Sequence, residues 1–419
     1  MTTGKRAGAR RAGPRVKTID TRHVDVLDGV RAAAILIVVW FHFWQQNWLM
    51  PIFDTPWLSF LGVTQINIDN IPRTGYLFVD LLLLLSAFCL FLPYARAALL
   101  GEAYPSARAF YRKRIARIVP CYYLSALLIF FCVALPSGAY WSAGSAVRDL
   151  LATLTFTQTF SVETYLGTHI NVVLWTAAVE MQFYLLFPLL ARAFTRRPLL
   201  TYLAMAAVSE LYLRALALPH PESLRMTLNQ LPAFFGVFAN GMAGAYLFVL
   251  LAKRVRRGGW LSAGCTAAFF AALAPLAAIL NAQAHAPVTQ VYQAQIRFAL
   301  SLLFLVMILA LALSCRALRA VFSNRAARFI AAISYNLYIW HQWLAVQLKQ
   351  WRIPYWTGET PPNMTGDLSW QWRYTLLLLA LSFGAAIVLT YCFERPAARL
   401  LLGTGRPSGR AAKTQTEGY

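Results

Sequence analysis

The chain has 419 residues, of which 59% are hydrophobic and only 13% charged, and its formal net charge is +22. Soluble domains carry about a quarter charged residues, so a soluble globular fold is excluded. The excess of cations would suit nucleic acid as a partner. However, they collect in alternate gaps between apolar runs, which is the positive-inside pattern of a membrane protein and excludes a nucleic-acid role.

Residues 1–24 form a basic N-terminal tail, read as disordered. A first apolar run follows, Asp28-Gly-Val-Arg-Ala-Ala-Ala-Ile-Leu-Ile-Val-Val-Trp-Phe-His-Phe-Trp44. No convincing small-residue cleavage site ends it, so it reads as a retained anchor and not a cleaved signal peptide. Similar runs recur over roughly 28–50, 76–95, 116–135, 173–192, 198–218, 229–251, 260–281, 294–315, 330–349 and 373–393, each near the ~20 residues that cross a bilayer as a helix. With a mean hydropathy of +0.52, the chain is predicted to be all-α and polytopic, with about ten transmembrane helices.

The gaps set the orientation. Most of the 38 lysines and arginines lie in the N-terminal tail, in the even gaps (Arg96 to Arg117, Arg192 to Arg197, Lys253 to Arg257, Arg316 to Arg328) and in the C-terminal tail. The odd gaps hold little beyond Arg73, Arg148, Arg225 and Arg352. Both termini are therefore expected in the cytoplasm. The stretch 142–160 is too short and Thr-rich to span and fits an interfacial or re-entrant helix on the outer side. The loop 350–372, with Trp351, Trp356, Trp370 and Trp372, fits an aromatic cap at headgroup level. Residues 397–419 form a short cytoplasmic tail. No internal repeat supports an inverted-repeat transporter. The six cysteines lie in or at the ends of apolar runs, with no spacing that suggests a disulfide framework or a zinc site, so no metal is expected.

Topology gives each unusual polar residue a depth. Arg31 and His42 are eleven residues apart, which on a helix is three turns and about 20°, so both lie on one stripe roughly 16 Å apart. Ionisable groups are costly in hydrocarbon and usually mark a path or a site. His42 falls in the outer half, Asp80 and Glu180 near the outer face, and His341 near the midplane, where Ser334, Tyr338 and His341 share one helix face. If their helices adjoin, these four groups line one cavity. Histidine can take a proton from a hydroxyl near neutral pH, so His42 is the candidate general base; the alternative is polar glue between helices. Asp80 and Glu180 would orient that imidazole or cap helix ends, and His341 would act in catalysis or in packing. In Phe110-Tyr-Arg-Lys-Arg-Ile-Ala-Arg-Ile-Val-Pro120, Arg114 and Arg117 face one way and can grip phosphate, with Arg112 and Lys113 beside them. Anchoring to anionic headgroups explains the same cluster.

Six segments, in order, resemble the acyltransferase-3 family of membrane O-acyltransferases: Leu27-Asp-Gly-Val-Arg31 with Phe41-His42; Phe78-Val-Asp-Leu-Leu-Leu-Leu-Leu-Ser-Ala-Phe88; Phe110 to Pro120; Trp175-Thr-Ala-Ala-Val-Glu-Met-Gln-Phe-Tyr184; Ile333-Ser-Tyr-Asn-Leu-Tyr-Ile-Trp-His341; and Phe393-Glu-Arg-Pro396. The resemblance spans 25–396 as one transmembrane domain. It implies ten core helices in a bacterial inner membrane and cytosolic acyl-CoA, acetyl-CoA first, as donor. It further implies an acceptor hydroxyl on a carbohydrate or glycoside, such as a surface polysaccharide. Arg31 and His42 would be required for activity, and Arg114 and Arg117 would lie near the donor's phosphates. Two departures stand out: Ser86-Ala87-Phe88 where the family commonly has Ser-Gly-Phe, and Glu180-Met181 where it has two acidic residues, which leaves Glu180 as the acidic candidate. The competing reading is a transporter of a small solute or lipid-linked glycan with a His/carboxylate proton relay.

Overall fold

The computed structural model describes residues 19–22, 24–255 and 258–403; the expectations for residues 1–18 and 404–419 lie outside them. Ten long helices follow one another: α1 Val26–Asn47, α2 Phe78–Leu100, α3 Ala107–Ile129, α4 Leu174–Arg196, α5 Pro198–Leu211, α6 Leu231–Arg254, α7 Gly259–Ala284, α8 Thr289–Leu313, α9 Arg325–Gln350 and α10 Leu368–Leu389. Wide π-helical turns prolong α3, α5 and α10, and Arg395–Leu402 continues the last as a further helix. The start of the expected C-terminal tail is thus helical.

Among the described residues, nine helices are long and apolar enough to cross a membrane. The tenth, α9, is as long as any at 26 residues but is more polar. Its polar groups point inward: Asn336 and His341 are fully buried and Ser334 nearly so. Neighbouring helices, and not hydrocarbon, solvate that face.

Several ends follow local chemistry. Ser106 caps α3 by accepting from the Ala109 amide, Asn324 does the same for α9 at Ala327, and Asp367 for α10 at Trp370, each satisfying an amide that has no intrahelical partner. The Ser106 cap starts α3 nine residues ahead of the expected 116, so Arg112, Lys113, Arg114 and Arg117 all lie on the helix itself. The stretch 142–160 forms a helix at Ala143–Leu154, closed by a Ser142/Ser145 capping box and too short to span.

The bundle is layered. Of the apolar helices α2 is the most enclosed and α7 the most peripheral. α6 packs tightly on α2, because a Cβ on Gly241 would meet the Leu84 carbonyl at 2.4 Å and the Ala87 methyl at 2.7 Å. Ala87, which stands where a glycine was expected, is thus accommodated by a glycine on the facing helix. After α1 the chain makes a small antiparallel hairpin, Ile52 opposite Asn67, that the hydropathy pattern does not signal. In the loop 350–372, Trp370 is buried and donates its indole N–H to the Pro354 carbonyl, while Trp351 and Trp372 remain half exposed. Of the loop's tryptophans, Trp370 thus packs inside while Trp351 and Trp372 face outward.

Candidate functional site

α1, α2, α3, α4, α9 and the turn after α10 together enclose a file of polar side chains. Near the end where α3 begins, three guanidinium groups converge. Arg117 of α3 lies within electrostatic range of Arg31 of α1, Arg114, Tyr184 and Glu394. Arg31 sends Nη2 to the Cys89 thiol at 3.7 Å, a weak partner for a full charge. The buried Nε of Arg114 has no hydrogen-bond partner among the described residues. Glu394 is the acidic neighbour of this group, held by Asn336, whose Nδ2 donates to its Oε2 at 2.7 Å and to Thr390 Oγ1 at 2.9 Å. Like charges held close together away from bulk water repel one another. Arg31, Arg114 and Arg117, with Arg395 also near Glu394, outnumber the carboxylates near them, and this excess of positive charge favours an anion.

Further in, Tyr184 of α4 shares a hydrogen bond with Ser86 of α2 at 3.2 Å and lies in electrostatic range of Glu180, Arg114 and Arg117. Glu180, half-buried, is also within range of Tyr335 and Tyr338 of α9. Tyr338's ring lies 5.6 Å from that of His341. The file ends at a pair of imidazoles, His42 and His341, with ring centroids 5.0 Å apart.

The hydrogen bonds fix the tautomers of that pair. His341 Nδ1 lies 2.8 Å from the Tyr338 carbonyl and 3.1 Å from that of Leu337. Carbonyls only accept, so Nδ1 carries the hydrogen and Nε2, buried and without a partner among the described residues, carries the lone pair. His42 Nδ1 lies 3.1 Å from Gln45 Oε1. With Nδ1–H donating to that amide oxygen, the Nε2 lone pair of His42 is left to accept a proton.

The structure thus brings together His42, His341, Glu180, Arg31, Arg114 and Arg117, but distributes them differently from the sequence expectation. Arg31 joins the arginine pair at one end while His42 sits at the other. Asp80 is set apart: its carboxylate accepts from Arg297 Nε at 3.2 Å, both side chains are buried, and it orients no imidazole. Arg297 also donates Nη1 to the Leu228 carbonyl at 2.6 Å and stacks over Phe234. Arg112 donates to the Leu402 carbonyl, tying the last helix to α3, and Lys113 is exposed. Sequence reasoning missed Gln45, Arg297 and Glu394. Arg297 carried a signal, being an arginine inside an apolar run with Asp80 as the unmatched acid of another; Glu394 was visible only as part of Phe393-Glu-Arg-Pro396.

A multi-pass helical membrane protein with a half-buried His42 set against a buried His341 at one end of a polar file, and an arginine cluster at the other, is the class that this fold and site define. The family model described as an acyltransferase domain, of the acyltransferase-3 family, matches residues 24–394, so the chain belongs to that family of membrane acyltransferases. No curated protein and no solved structure matched the chain.

Proposed function

We propose that the protein is an O-acyltransferase of a bacterial inner membrane, with its arginine-rich end in the cytoplasm. It would move a short acyl group, acetyl first, from acyl-CoA to a hydroxyl of a carbohydrate-type acceptor such as a surface polysaccharide. The observation that carries this reading is the polar file with cations at one end and a proton acceptor at the other. Arg31, Arg114 and Arg117 suit the donor's phosphates, and the interior between them and His42 suits the pantetheine arm and thioester. His42 Nε2 takes the proton of the acceptor hydroxyl as its oxygen attacks the thioester carbonyl. The C–S bond then breaks and the proton passes to the departing thiolate, giving free CoA thiol and an ester. Enclosure by α1, α2, α4 and α9 limits water and so limits thioester hydrolysis.

The test is thiol release from acetyl-CoA by membranes that contain the protein and its native glycan. His42→Ala should lower turnover by about 10²–10⁴-fold with normal expression and insertion. Unchanged turnover would remove the base assignment, and absence of thiol release from the unaltered protein would favour transport.

A further inference from the structure

The link between α2 and α3 at the arginine-rich end is built as a fixed platform. Gly101, at a left-handed φ of 73°, closes α2. Glu102 pairs with Arg96, Lys253 Nζ donates to the Leu99 carbonyl at 2.8 Å, and Ser106 caps α3. On this platform stands Tyr104, 45% exposed, edge-on to Tyr94 with ring centroids 5.1 Å apart. Tyr94 is buried, and its hydroxyl has no hydrogen-bond partner among the described residues. That ring lies within electrostatic range of Arg114, whose buried Nε also lacks a partner. Neither the polar file nor the histidine pair uses Tyr94 or Tyr104.

A half-exposed aromatic ring set on a second tyrosine that in turn lies within electrostatic range of a guanidinium suits a ligand that has both a flat π-system and phosphate. We propose that Tyr104, Tyr94 and Arg114 form a subsite for the purine nucleotide end of the donor. The purine stacks on the open face of Tyr104, while Arg114 Nε and the Tyr94 hydroxyl donate to phosphate. This rests on the acyl-CoA reading and adds to it the residue that recognises the base. The bland role for an exposed tyrosine here is anchoring in the headgroup layer, and that role predicts no selectivity for a nucleotide.

The test is binding of two probes, CoA and 4′-phosphopantetheine, to the purified protein in nanodiscs by calorimetry. The latter lacks the nucleotide. Base–aromatic stacking corresponds to about 5- to 140-fold in affinity. Tyr104→Ser should weaken CoA by that factor and leave 4′-phosphopantetheine unchanged, whereas Tyr104→Phe should bind both as the unaltered protein does. Equal CoA affinity for Tyr104→Ser, with Arg117→Gln still weakening CoA, overturns the subsite but leaves the donor reading standing. Failure of the unaltered protein to bind CoA overturns both.

Discussion

A histidine inside a membrane helix has a usable lone pair only if something settles which nitrogen holds the hydrogen. For His341 two backbone carbonyls of its own helix do so; for His42 the acceptor is Gln45, one turn further along α1. On the proposed mechanism, Gln45 would be a positioning residue for His42. Gln45→Ala should lower kcat for thiol release by about 10-fold, within the range of a partly misdirected general base, with little change in KM for acyl-CoA. Gln45→Glu, which keeps an acceptor oxygen, should recover most of the rate. A change confined to KM would assign Gln45 to substrate binding instead. The shared stripe of Arg31 and His42 was legible from spacing alone. The Gln45 contact was not, because three residues on a helix give proximity but not which of several polar neighbours the ring selects.

At the scale of elements, the closest fit is made where side chains are smallest, at Gly241 of α6 against Leu84 and Ala87 of α2. The most consequential polar contact is the Asp80–Arg297 pair between α2 and α8. Removing one member of a buried pair leaves a desolvated charge and costs about 3–5 kcal/mol, whereas replacing both by apolar residues is often neutral. Arg297→Met should thus lower the melting temperature in detergent sharply, and Asp80→Leu/Arg297→Met should recover most of it. If the single and double variants melt alike, the pair is not the source of the stability. Because Arg297 also holds the Leu228 carbonyl, both variants loosen the segment between α5 and α6, and that part of the loss stays in the double variant. Hydropathy found the helices, yet misplaced the start of α3, since a polar cap and a run of good helix formers extend it beyond the apolar window.

For the molecule as a whole, the count of crossings decides on which side each end lies. Nine apolar helices would leave the ends on opposite sides; ten, with the more polar α9 included, return the chain to the side where it began. A green fluorescent protein fused after residue 419 should therefore fluoresce in cells, and an alkaline phosphatase fused there should stay inactive. The reverse pattern would show that α9 does not cross.

Composition and run length determined that this is a helical membrane protein and where its long apolar helices lie. These properties are local to a segment and need no knowledge of its neighbours. Which groups meet was decided by the tertiary structure: Arg31 with Arg117, Glu394 with Asn336, His42 with His341, and Asp80 with an arginine 217 residues away. Periodicity tells which face of a helix is polar, but only packing selects the helix set against it, and in a medium without water that choice determines whether a charge is paired, left to bind an anion, or kept for chemistry.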